Sequence, residues 1–191
     1  GTFHSAAPPV TSRMSPTTQP IDTLVRRLRN MRCASFTCGS DDATIEASVR
    51  LADRVSVNLE APNAERLVAL SRTKDFRGEL LAPLRQADRI RRRVCPSVSL
   101  TTQFVVGAAG ETDREILATT TGLYRDIGLA RAYYSAFQPV RDTPLEGLAP
   151  TPTWREQRLY QVDFLLRRYG FRFDELCFNA QGNLPRGADP K

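Results

Sequence analysis

The most regular run of hydrophobic and polar positions lies between Ser99 and Glu115, SLTTQFVVGAAGETDRE. Thr101 to Val106 is rich in β-branched and aromatic residues and almost continuously apolar, which predicts a strand covered on both faces and therefore a parallel one. Gly107, Ala108, Ala109 and Gly110 follow with little or no side chain, so the backbone can bend sharply and bring its amides close to a bound group. Thr112 with Glu115 three residues on forms a capping box that opens a helix. Such a βα unit carries its loop at the carboxyl end of the strand, where parallel α/β folds bind ligands. A plain turn with small residues for packing produces the same pattern.

The same reading extends along the chain. Residues 1 to 19 are rich in Ser, Thr and Pro and are expected to be disordered. Ile21, Leu24, Val25 and Leu28 then repeat at helical spacing to about Asn30. A strand is expected from Met31 to Thr37, with Ser40 capping a helix that carries Ile45, Val49 and Leu51. The next strand, Arg54 to Leu59, alternates cleanly: Val55, Val57 and Leu59 point one way, Ser56, Asn58 and Glu60 the other. The second set could line a barrel interior near its mouth or simply face helices or solvent.

Pro62 is expected in the first turn of a helix bearing Leu67, Val68 and Leu70. A polar connector containing Lys74 leads to a helix with Leu80, Leu84, Ala87 and Ile90. The helix opened by Thr112 ends at Gly128, with Leu129 supplying the hydrophobic contact of a glycine C-cap. A fourth strand is expected from Ala130 to Phe137. A long irregular loop to Pro152 follows, then a helix to Tyr169 opened by a Thr153–Glu156 capping box, a short turn around Asp174 to Phe178, and a polar tail from Gln181 to Lys191. Strands alternating with crossovers predict an α/β parallel sheet, either doubly wound or an incomplete (β/α) barrel.

Composition narrows this only slightly. The chain of 191 residues is 41% hydrophobic and 25% charged, the range of an ordinary globular domain. No run of 18 apolar residues is present, and the first thirty residues lack an apolar signal core, so a cytoplasmic location is expected. Cys33, Cys38, Cys95 and Cys177 are too irregularly spaced for a zinc site and are expected to be reduced and mostly buried. The only histidine, His4, lies in the N-terminal tail.

The net charge of +6 invites a nucleic-acid partner, and all but Lys74 and Lys191 of the 27 basic residues are arginine. The densest run, Arg89 to Arg93, reads either as a solvated helix end suited to the helix dipole or as a phosphate-contacting patch.

Several longer segments resemble a known family. RLADRVSVNLEAPNAERL, TTQFVVGAAGETDREIL, GLARAYYSAFQPV and WREQRLYQVDFLLRRYGF, with GNLPRGADPK, are similar to radical S-adenosylmethionine proteins described as acting in DNA modification or repair, over roughly residues 44 to 191. GETDREIL is common to many radical S-adenosylmethionine barrels. Its combination with YYSAF, PLEG and REQRLYQVDFLLRRYGF is narrower.

The resemblance implies a partial (β/α) barrel of which about four strands are present here, spanning residues 20 to 180. It also implies S-adenosylmethionine and a [4Fe-4S] cluster as cofactors of the full-length family. The C-x-x-x-C-x-x-C cluster motif is absent from this sequence, so the chain is expected to be the central and later part of a longer enzyme. On its own it is expected to be inactive, with open sheet edges that could pair with another chain.

Carried over by position, Asn58 and Glu60 would meet the ribose and methionyl portion of the cofactor. Gln103, Val105 and Gly107 would lie against adenine, Ser135 and Ala136 would offer backbone atoms to its edge, and Lys74 would meet the cofactor carboxylate. None is implied to be an acid–base catalyst, because the chemistry belongs to the cofactors. Two other functions compete with this one: an arginine-dependent nucleic-acid-binding module without catalysis, and a phosphate-binding barrel enzyme that uses the Gly107 to Gly110 loop.

Overall fold

The computed structural model of the chain describes residues 33–36 and 40–187. The helix expected to end at Asn30, the N-terminal tail with His4, and Cys38 lie outside the described residues. Four strands, β1 (Cys33–Phe36), β2 (Arg54–Val57), β3 (Ser99–Val106) and β4 (Arg131–Ala136), form one sheet in the order β1-β2-β3-β4, every neighbouring pair parallel. The order follows the sequence without a reversal, so the sheet has no topological switch point among these strands.

Right-handed crossovers in such an order put all the helices on one face. The helices are α1 (Asp42–Leu51), α2 (Ala64–Leu70), α3 (Ala82–Val94), α4 (Asp113–Ile127) and α5 (Thr153–Phe164). α1 packs on α3, and α4 on α5. The core lies between this layer and the sheet, where Val55, Val57, Leu59, Leu100, Phe104, Val106 and Tyr134 are buried. Each such side chain stabilises by about 1.5–3 kcal/mol. The other face of β3 is covered only at its lower end, contrary to the expectation from its apolar run: Thr101 is buried there, but Gln103 and Val105 stay half-buried. No helix among the described residues is long and apolar enough to cross a membrane.

The caps show where short-range chemistry ruled and where it was overridden. At α4 both halves of the Thr112–Glu115 capping box form, and Gly128 ends the helix in the left-handed region, with the Leu129 N–H on the Leu123 carbonyl. At α1 the cap is Asp41 rather than Ser40, its carboxylate accepting from the Thr44 N–H at 2.7 Å. α2 is capped by Asn63, so Pro62 stands outside its first turn. Between α2 and α3 a π turn, Phe76–Leu81, is capped by Asp75.

α5 has no capping box. Pro152 occupies its N-cap, and Glu156 accepts instead from the Ala136 N–H at 2.8 Å, because a strand-edge amide outcompetes a helix-end amide for that carboxylate.

The polar tail, as far as it is described, docks on the fold: Leu184 is 4% exposed, and the loop before it, closed by Asn179, packs against the start of α4. One further expectation is corrected: the described cysteines are not mostly buried. Cys33 on the edge strand and Cys177 after the 3-10 turn Phe173–Glu175 are exposed, and Cys95 just after α3 is half-buried, because none of these positions falls on the helix-covered side of the sheet.

Candidate functional site

The face of the sheet turned away from the helices is polar. Ser56 and Asn58 project there together, the Ser56 hydroxyl donating to Asn58 Oδ1 at 3.2 Å. On β3 and β4, Gln103 lies beside Tyr133 and Val105 beside Ser135 in register. At the amino ends of the strands Arg54 Nη1 donates to the Tyr133 hydroxyl at 3.1 Å, while the Arg131 guanidinium sits 4.9 Å from the Tyr133 ring centroid. These groups close the lower part of the face. Towards the carboxyl ends the same face carries Asn58, Gln103, Val105 and Ser135, with Glu60 and Gly107 at the strand ends, while Ala136 alternates with Ser135 onto the helix-covered side beside Val106. Lys74, exposed in the connector before the π turn, is tied to none of them by a hydrogen bond or ion pair.

Glu60 is the irregular element of this rim. Arg54 pairs with Ser99 but Glu60 with Phe104, so the β2 side carries one residue more than β3, a bulge. The Thr102 hydroxyl fills the resulting gap, accepting from the Leu59 N–H at 3.2 Å and donating to the Val57 carbonyl at 2.7 Å. Glu60 itself has φ 63°, a left-handed conformation that costs a non-glycine residue about 1–2 kcal/mol. Bonds on both sides hold it there: its N–H donates to the Gln103 carbonyl, and its carbonyl accepts from the Val105 N–H. Its carboxylate meets no hydrogen-bond or ion-pair partner among the described residues. Strain of this kind, fixed by surrounding structure and carrying an unengaged carboxylate, marks functional rims.

The glycine loop is built differently from a phosphate cradle. The Glu111 carboxylate accepts from the Gly107 N–H and, at 3.0 Å, from the Ala109 N–H. At the start of α4, Asp113 N–H donates to Asn183 Oδ1 and Arg114 N–H to the Gly182 carbonyl. The Gly107 and Ala109 amides of the loop and the first two amides of α4 are therefore engaged within the chain. Arg155 locks the arrangement, its Nε 2.7 Å from Asp113 Oδ1 and its Nη2 2.7 Å from the Glu111 carbonyl. Gly107 is required by its neighbour, since a Cβ there would lie 1.9 Å from Thr151 Oγ1.

No family model and no solved structure matches this chain.

Glu111, Asp113, Thr151, Arg155 and Glu156 were missed at the sequence level. GETD signalled Glu111 and Asp113 only as part of a helix start, and Glu156 was read only as half of a capping box with Thr153. The electrostatics follow the same geometry. Burial pushes the Glu115 carboxyl up, but hydrogen bonds from the Arg66 guanidinium and from Thr112 outweigh it and bring the group down to about 2.

The outer edge of β4 is also occupied. The Tyr124 hydroxyl accepts from the Ala132 N–H at 3.1 Å, and the Tyr160 hydroxyl both accepts from the Tyr134 N–H and donates to the Tyr134 carbonyl, each at 3.0 Å. Glu156 takes the Ala136 N–H, one of the backbone groups of Ser135 and Ala136 that the family resemblance would offer to adenine. Behind this row, buried Asp163 receives the Tyr124 hydroxyl and the Arg167 guanidinium. Burial, with that carboxylate adding to it, raises the Tyr124 phenol above its ordinary range.

The arginine run is structural in large part. Arg91 and Arg92 share Asp88, and Arg91 Nη2 donates to the Ile127 carbonyl at 2.7 Å, capping the carboxyl end of α4. Among the described residues no cluster of three or more histidine, cysteine or acidic side chains could hold a metal ion.

Proposed function

We propose that this chain forms the adenosine-binding arc of a (β/α) barrel related to radical S-adenosylmethionine enzymes of DNA modification or repair. The observation that carries the reading is Glu60, a strained residue with an unengaged carboxylate at the carboxyl rim of an uncovered polar sheet face. A strand order without reversal suits a barrel arc, whereas a doubly wound sheet reverses its order.

The residues fit the cofactor unevenly. Asn58 and Glu60 together offer the donor and acceptor groups that ribose hydroxyls need. Val105 offers an apolar surface to a base, with Gln103 and Ser135 as polar neighbours. Gly107 and Ala136 are already used by Thr151 and Glu156, so support from those two positions is weaker. S-adenosylmethionine supplies the family its radical precursor. This chain's part would be to hold and orient the adenosyl end. The [4Fe-4S] cluster finds no ligand set among the described residues, and no reaction step is derived through it. The phosphate-barrel reading is disfavoured by the engaged loop amides.

Binding is the direct test. Titration calorimetry with S-adenosylmethionine and with 5′-deoxyadenosine should detect both ligands, and Glu60→Gln and Asn58→Ala should each weaken binding by about tenfold, the equivalent of roughly 1.4 kcal/mol. Absence of binding at millimolar ligand, or binding indifferent to both substitutions, would overturn the proposal.

A further inference from the structure

A groove of about 690 Å³ separates the first turn of α2 from the π turn and α3, and it opens three residues beyond Glu60. Its walls include Asn63, Glu65, Phe76, Arg77, Arg85 and Arg89. Arg50, Arg66, Arg91, Arg92, Arg155 and Arg167 all lie against carboxylates. The three arginines that line this groove do not, and the groove gathers them on one surface. No hydrogen bond or ion pair takes up the guanidinium groups of Arg77 and Arg85 among the described residues, and Arg89 Nε donates to the neutral Gln86 Oε1 at 2.9 Å. Glu65 is the only acidic residue among those that line the groove.

We propose that this groove binds the phosphodiester backbone of a nucleic-acid strand and leads it to the neighbouring rim. Arg85 and Arg89 are one helical turn apart, about 6 Å along the axis, which takes in roughly two phosphates of a strand charged every ~3.4 Å. Planar guanidinium forks suit phosphate oxygens and remain charged at any accessible pH. At about 690 Å³ the groove is far larger than one inorganic phosphate, and its arginines come from both the π turn and α3. This inference rests on the nucleic-acid half of the proposed function and is independent of the cofactor half.

Fluorescence anisotropy with a labelled oligonucleotide of roughly 20 nucleotides, single-stranded and duplex, tests it without S-adenosylmethionine, so either proposal can fail alone. The Arg77→Gln/Arg85→Gln double variant should lose tenfold or more in affinity, and its plot of log affinity against log salt should be shallower by about 1.5–2. The control double Arg141→Gln/Arg168→Gln, with the same change of charge at exposed sites elsewhere, should change affinity less than about twofold. Hydrogen exchange on the unmodified chain should slow over residues 76 to 89 when the oligonucleotide is added, a readout that does not depend on a variant folding. Equal losses in the two doubles, no binding at about 50 mM salt, protection confined to other segments, or full displacement by millimolar inorganic phosphate would each overturn the proposal.

Discussion

Gly107 shows how one position can be dictated by a residue distant in sequence. With φ 95° and the Thr151 hydroxyl where its Cβ would project, it has neither the backbone freedom nor the space for alanine. Gly107→Ala should lower stability by about 3 kcal/mol in chemical denaturation, combining overpacking with backbone strain. Adding Thr151→Gly should recover the steric part and leave about 1 kcal/mol of strain.

Glu115 gives a pH signature. Its carboxyl lies near 2 in the folded chain against about 4.5 unperturbed, so its contribution is complete above pH 4.5 and is lost as the pH falls towards 2. Glu115→Gln should cost about 1–2 kcal/mol at neutral pH and flatten the acid limb of a denaturation series. The Thr112–Glu115 box was legible in the sequence because its partners are three residues apart. The clasp of Glu111 on the loop amides was not, since GETD reads equally well as a cap followed by solvent-exposed acids.

Among the elements, β4 is the most heavily dressed. Tyr160→Phe would remove both the acceptor for the Tyr134 N–H and the donor to its carbonyl. It should destabilise by about 1–3 kcal/mol and speed exchange of the Tyr134 amide about tenfold or more, measured by hydrogen-exchange mass spectrometry. All four described strands and the helices between them were legible from periodicity, because a period of two and a period near 3.6 are set locally. The misplaced expectations concern termini: Ser40 against Asp41, Pro62 against Asn63, and Glu156, which leaves its helix for a strand. In the last case the deciding partner, Ala136, is twenty residues away, and only the folded sheet exposes its amide. The run Arg89 to Arg93 was likewise read as a surface feature, yet Arg91 reaches a carbonyl on α4.

At the scale of the whole molecule the chain's last described residues stabilise its middle. Asp113, with its side chain 0% exposed, accepts from Arg155 Nε and from the Leu184 N–H, tying the start of α4 to both α5 and the tail. Asp113→Ala would leave the Leu184 N–H without its acceptor and Arg155 with Glu111, 3.6 Å away, as its remaining carboxylate, and should cost about 2–3 kcal/mol in urea denaturation. Leu184→Ala should cost about 2–3 kcal/mol by cavity formation alone, marking the tail as part of the core. The parallel sheet was legible as a whole, but the residues of β3 and β4 did not by themselves tell a bare second face from a covered one. Gln103 and Ser135 alternate with apolar neighbours just as residues facing a second helix layer would.

The row of hydroxyls and carboxylate along β4 also has a consequence for symmetry. Head-to-tail addition of one sheet to the next needs two complementary free edges, and the outward groups at Ala132, Tyr134 and Ala136 are already bonded. Among the described strands only β1 still offers an outer edge. Among the described residues, strand-mediated association between copies is therefore left to β1 against β1, an isologous two-fold contact that closes at the dimer and gives an open filament no direction in which to grow.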